Sequence, residues 1–174
     1  MGVVSKGQGR QMRRKMCEKV ALLAALLVMG SVVLGRAEEF ARYCNGRFGF
    51  CVEYPARLVL EPEPDNGDGR RFHDNAGFLM IASGINNATG DTLESETRSQ
   101  AVDFDRITYR ARGRDWFVLS GNKGSHILYR KTFIGPGAVN HLFFEYPAAL
   151  NRTYNPVVTR ISRSFQPGDL GSPR

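Results

Sequence analysis

Cysteine, histidine and tryptophan are scarce in this chain, with three, three and one among 174 residues. No Cys-x-x-Cys pair is present, which removes the usual redox-active spacing. Gly-x-Ser-x-Gly, His-Glu-x-x-His, the Walker A loop and a complete Gly-x-Gly-x-x-Gly are all missing. The common signatures of esterases, zinc proteases, nucleotide hydrolases and dinucleotide enzymes are therefore absent. Gly67-Asp-Gly69 is the nearest approach to a phosphate loop, but it leads through Phe72 into a strand. No helix N-terminus follows there to supply amides and a dipole, so a tight turn is the expected structure. No internal repeat is found. The longest apolar run, Val20 to Gly35, is interrupted by Gly30 and Ser31. It falls short of the roughly 18 to 20 apolar residues that a spanning helix usually needs.

What is present at the N-terminus is the pattern of an export signal. Lys6, Arg10, Arg13, Arg14, Lys15 and Lys19 stand against one acid, Glu18, and the apolar run follows directly. Gly35-Arg36-Ala37 puts small residues at the minus-three and minus-one positions, so cleavage is expected before Glu38 and a signal peptide is read over residues 1–37. No lipobox follows the run. A retained leader would instead make this a membrane-tethered partner protein, and membrane contact is expected only through that segment. The leader also explains the charge: it holds seven of the 24 basic residues and one of the 17 acidic ones, leaving 17 against 16. Nucleic-acid binding is not expected of so neutral a remainder. The destination expected is the periplasm or the exterior.

The rest is long enough for one core, read over residues 38–166, with a disordered Pro-, Gly- and Ser-rich tail over residues 167–174. Cys44 and Cys51 flank the turn-forming pair Asn45-Gly46 and come opposite each other if the chain reverses near Arg47. In an oxidising compartment they are expected to bond. Phe48 to Tyr54 alternates as a half-buried strand stopped by Pro55, and Arg70 to Asp74 pairs with Gly77 to Ala82 through a turn at Asn75-Ala76. Both faces of Phe78-Leu-Met-Ile-Ala82 are apolar, so this strand is expected centrally, covered on each side. Asp91, with Glu94 three residues on, is expected to cap a first helix. Four strands, Ile107 to Arg112, Trp116 to Ser120, His126 to Ile134 and Val139 to Tyr146, then form an antiparallel meander. Asn155-Pro156 predicts the start of a last helix with Val157, Val158, Ile161 and Phe165 on its apolar face. The fold class is α+β, an antiparallel β-sheet flanked by helices.

Tyr43 to Pro55, Asn66-Gly-Asp-Gly-Arg70, Trp116 to Gly121, Tyr129-Arg130, Glu145-Tyr-Pro147 and Tyr154-Asn-Pro-Val-Val through Ser164-Phe165 together resemble a group of exported proteobacterial domains of unknown function. The order of elements, from a hairpin ending in Tyr-Pro to an amphipathic helix ending in Ser-Phe, is also similar to the PsbP-like α/β/α sandwich. That resemblance implies a sheet between helical layers. It implies no particular activity, because the fold hosts accessory, chaperone and binding roles.

Candidate functional residues fall into three sets. Trp116, Tyr129, Arg130, Tyr146, Arg152 and Tyr154 could form a recognition surface for an envelope protein or a small ligand, or could pack between sheet and helix. Asp65, Asn66 and Asp68, with Asp74 nearby, gather oxygens for a weak calcium site but lack the spacing of an EF-hand, and a side-chain-bonded turn explains them as well. Asp68, His73 and His141 are the groups that an envelope hydrolase would use. His141 and Glu145 share a strand face, but strand rise puts them roughly 13 Å apart, too far for a direct hydrogen bond. No cofactor is expected. The leading expectation is an extracytoplasmic binding or accessory domain without a catalytic site, and the hydrolase is the alternative.

Overall fold

Asn45 reverses the chain by bonding its own backbone. Its Oδ1 accepts from the amides of Arg47 and Phe48 at 3.1 and 2.6 Å, and its Nδ2 donates to the Gly67 carbonyl at 2.8 Å. The strands on either side, β1 (Phe40–Cys44) and β2 (Cys51–Pro55), pair antiparallel with Cys44 opposite Cys51, and the two sulfurs are bonded. The computed structural model describes residues 38–172, so the signal peptide expected over residues 1–37 lies outside the described residues.

The other strands are β3 (Val59–Leu60), β4 (Gly69–His73), β5 (Leu79–Asn86), β6 (Arg106–Arg112), β7 (Trp116–Lys123), β8 (His126–Ile134) and β9 (Ala138–Pro147). They form one antiparallel sheet in the order β3-β4-β5-β9-β8-β7-β6. Helix α1 (Leu93–Ala101) lies against one face of it. The other face is covered by the β1–β2 ribbon and by α2 (Asn151–Ser164), which follows a 3₁₀ turn over Ala148–Leu150. The result is an antiparallel sheet between two layers, the α+β sandwich expected.

Strand alternation decides which side chains meet which layer. On the α2 side lies the larger core, where Phe72, Phe78, Met80, Ala82, Leu142 and Phe144 from the sheet meet Val52, Tyr154, Val158, Ile161 and Phe165. On the α1 side, Phe117, Leu119 and Leu128 pack with Phe104. Strand β5 is internal, as its apolar character predicts, but its two faces differ: Met80 and Ala82 are fully buried, whereas Leu79 and Ile81 are half-buried. A helix of nine residues is too short to cover the whole second face.

Three local expectations are corrected. Thr92, not Asp91, caps α1: its Oγ accepts from the Ser95 amide at 3.2 Å, while Ser95 Oγ accepts from the Thr92 amide at 2.9 Å. Helix α2 begins at Asn151, a turn before Asn155, and Pro156 sits inside it. Burial of Tyr154 in the core holds that extra turn against the missing proline amide. The third correction concerns the tail. Gln166 exchanges backbone bonds with Cys51, Gly168 N donates to Asn140 Oδ1 at 3.0 Å, and the Leu170 carbonyl accepts from Gly137 and Ala138. The segment expected to be disordered is thus bonded to the domain as far as Leu170, because side chain and loop partners replace those its own sequence lacks.

Candidate functional site

Helix α2 packs over β9, with Ser162 bonded to Tyr129 and Lys131 of β8, and the meander extends past it toward the free edge at β6. The space between the flank of α2 and the uncovered part of β6–β8 is a groove of about 710 Å³. Its wall on the sheet alternates outward from β7 and β8: Trp116, Val118, Ser120 and Asn122 on one strand, Ile127, Tyr129 and Lys131 on the next. Asn155, Thr159, Ser162 and Arg163 line it from α2.

An irregularity in β6 completes the wall. Ile107 pairs with Gly121, but the next pair is Tyr109 with Ser120, so Thr108 is an extra residue on the β6 side. A one-residue insertion reverses the facing of all that follows it. Tyr109 and Ala111 therefore turn toward the groove, and Arg110 and Arg112 toward α1. The partner at the irregularity has to be glycine, since a Cβ at Gly121 would lie 2.0 Å from the Arg106 carbonyl oxygen. Trp116 is placed in a similar way. Its indole lies across Gly113, where a Cβ would fall 2.2 Å from Nε1.

The groove is cationic and hydroxyl-rich. None of its lining residues is acidic, and the charged ones are Lys131 and Arg163. Lys131 Nζ donates to the Ser162 carbonyl at 2.7 Å in the last turn of α2, and lies 5.9 Å from the Trp116 ring centroid and 5.0 Å from that of Phe133. Burial lowers the pKa of this amine below its ordinary value. Tyr129 shares a 2.6 Å hydrogen bond with Ser162 Oγ, and burial raises its pKa. Tyr146 forms part of the floor and donates to Asn151 Oδ1 at 3.3 Å.

The six residues singled out for recognition do not form one surface. Trp116, Tyr129 and Tyr146 line the groove. Arg130 points to the opposite face, paired with Asp103 at 2.5 Å and stacked over Phe143, because strand alternation separates it from Tyr129. Tyr154 is buried, stacked on Phe78 at 4.8 Å, with its hydroxyl on Asp74. Arg152 is exposed in the first turn of α2. Residues that the sequence reading passed over are Lys131, two positions from Tyr129 and so on its face, and Tyr109, whose facing depends on the irregularity in β6.

The oxygen-rich loop is a bonded turn. Asp68 takes Arg47 at 2.6 Å and the Asn66 amide at 2.7 Å, while Asp65 is exposed. Among the described residues no group of three or more His, Cys, Asp or Glu is placed to hold a metal ion. His141 lies under α1, its Nδ1 3.1 Å from Thr132 Oγ and 3.3 Å from Gln100 Nε2, and its Nε2 3.9 Å from Glu96. Among the described residues no hydrogen bond or ion pair joins Asp68, His73 and His141.

No family model matches the chain. No curated protein is similar to it in sequence. Among solved structures it is similar to the cyanobacterial PsbP protein CyanoP from Synechocystis sp. PCC 6803, with a TM-score of 0.55 at 14% identity, over 79% of this chain and 98% of that one. It is also similar to LpqN of Mycobacterium tuberculosis, a protein involved in cell envelope biogenesis, with a TM-score of 0.49 at 12% identity, over 77% of this chain and 93% of that one. The overlap with CyanoP and the layered sheet described above show a PsbP-like fold.

Proposed function

We propose that this PsbP-like chain is an exported accessory or binding domain that works through the groove between α2 and strands β6–β8. The observation that carries the reading is the groove itself. Its volume of about 710 Å³ lies within the range of small-ligand sites, and it concentrates the chain's one tryptophan, three tyrosines and a half-buried lysine in one concavity. Flat rings offer contact area at low entropic cost, while the hydroxyls and amides around them can orient what binds. Export is supported by the bonded Cys44–Cys51 pair, which belongs to an oxidising compartment, and by the leader pattern over residues 1–37.

Expression of the full chain in a Gram-negative host tests both halves of the reading. The protein is expected in the periplasmic fraction with Glu38 as its first residue. Recovery in the membrane fraction with the leader intact would replace it with the tethered form. For the groove, Trp116 emission of the recovered protein is the reporter. A ligand is expected to shift it, and Ser162→Phe, which fills the groove from α2 without adding a second indole, is expected to abolish binding.

A further inference from the structure

We propose that the groove takes a ring-bearing carboxylate, with the ring against Trp116 and the carboxylate meeting the Lys131 ammonium, and this rests on the groove being the binding site. The charge pattern points there. Several cations of the domain have a carboxylate partner: Arg47 has Asp68, Arg57 has Glu38 and Asp74, Arg130 has Asp103, and Arg160 has Glu53. Lys131 has no such partner among the described residues, although it is more enclosed than most of those arginines. Its ammonium has three N–H donors, and Ser162 O takes one. The remaining donors belong to a group that lies near the faces of Trp116 and Phe133 in a groove without an acid.

A half-buried ammonium without an anion is costly, and an incoming anion offsets that cost. The charge to be matched is small: one enclosed ammonium, with Arg163 exposed at the rim. That suits a single carboxylate better than a doubly charged phosphate. The remainder of the ligand must lie on Trp116, Tyr109 and Tyr129, so it has a flat or ring-shaped body, and the Ser120, Asn122 and Asn155 side chains beside them suit one that carries hydroxyls. Two sources share this chemistry, a uronic acid of an acidic saccharide and a hydroxylated aromatic acid.

The test titrates the periplasmic protein with trigalacturonic acid and its methyl ester, and with 4-hydroxybenzoate and 4-hydroxybenzamide, following Trp116 emission and heat. One acid is expected to bind at least tenfold more tightly than its neutral counterpart, and which one identifies the source. Lys131→Gln is expected to remove that preference and Lys131→Arg to restore it. Because the first variant could weaken the contact with α2, an NMR titration of the unaltered Lys131 side chain accompanies it. Its ammonium resonance is expected to move with the acid and not with the ester or amide. Equal binding of the neutral forms overturns the carboxylate while leaving the groove as a site. Silence of Trp116 and of the calorimeter toward all four compounds overturns both.

Discussion

Tyr154 and Asp74 are 80 positions apart in the chain, and the tyrosine hydroxyl donates to the Asp74 carboxylate at 2.7 Å. This bond ties α2 to the turn between β4 and β5. Asp74 already accepts from the amides of Ala76 and Phe78 in that turn, and Arg57 reaches the same carboxylate at 3.0 Å. Burial alone would raise the carboxyl pKa, but the hydrogen bonds from Tyr154, Phe78, Ala76 and Arg57 outweigh it and hold it below its ordinary value. Burial, and then the anion beside it, push the Tyr154 hydroxyl up to about 12.

Tyr154→Phe should therefore cost about 1.5 to 3 kcal/mol near neutral pH, the range for a hydrogen bond to a charged group. Asp74 with a lowered folded pKa contributes stability above its unfolded value, and that contribution is lost as pH falls through the folded one. The variant should thus begin acid unfolding at higher pH than the parent. Urea melts across an acid series measure both effects, and a variant with the parent's acid limb would show that the bond does not hold the carboxylate down.

Cys44 and Cys51 close a loop of only a few residues, so the chain-entropy model assigns their bond a contribution of about 2.5 kcal/mol. The double serine variant should lose about that much in a urea melt, with the slope altered only slightly. Phe48 and Phe50, fully buried within the loop, should keep it folded back on the core. A loss near zero would mean that this packing alone orders the hairpin.

His141 is expected to make the α1 side acid-sensitive. Burial lowers its pKa below the ordinary 6.5, Glu96 opposes this and Arg130 reinforces it. The unfolded chain therefore takes up the proton first as pH drops, so stability is full above about 6.5 and falls toward the lower folded value. His141→Asn should flatten the dependence of melting temperature on pH in that window. An unchanged slope would assign the sensitivity to other groups.

Gly113→Ala should move Trp116 without unfolding the domain. The new methyl would lie 2.2 Å from the indole Nε1, and this is a side chain at the mouth of the groove, not in the core. A shift in emission wavelength with a stability change below about 1 kcal/mol is expected, as for a partly exposed site away from core packing. Gly121→Ala should behave differently. There the clash is with the Arg106 backbone oxygen, so β6 must separate from β7, and loss of stability by about 1 to 3 kcal/mol is expected.

Removing residues 167–174 tests the bonded tail. Asn140, fully buried, would lose the Gly168 amide from its Oδ1, and the amides of Gly137 and Ala138 would lose the Leu170 carbonyl. Each buried polar group left unpaired costs about 1 to 3 kcal/mol unless water reaches it, so truncation should lower the melting temperature clearly. A truncated protein as stable as the parent would show that water replaces the tail.

The sequence by itself determined the elements that rest on local rules. The Asn45-Gly46 reversal, the opposed cysteines, the four-strand meander and the apolar stripe of the last helix all depend on turn chemistry or on a period of two or 3.6 residues. Those signals lie within a few residues of one another, and together they were enough for the α+β class. Only the tertiary structure decided where α2 crosses the sheet, and hence that Trp116 and Tyr129 border open space while Tyr146 and Tyr154, from the same aromatic set, are buried in the core. The facing of Tyr109 turns on one extra residue against Gly121, which no propensity records. The enclosure of Lys131 and the order of the tail come from partners at Ser162, Asn140 and Gly137, residues far enough along the chain that only packing brings them into contact.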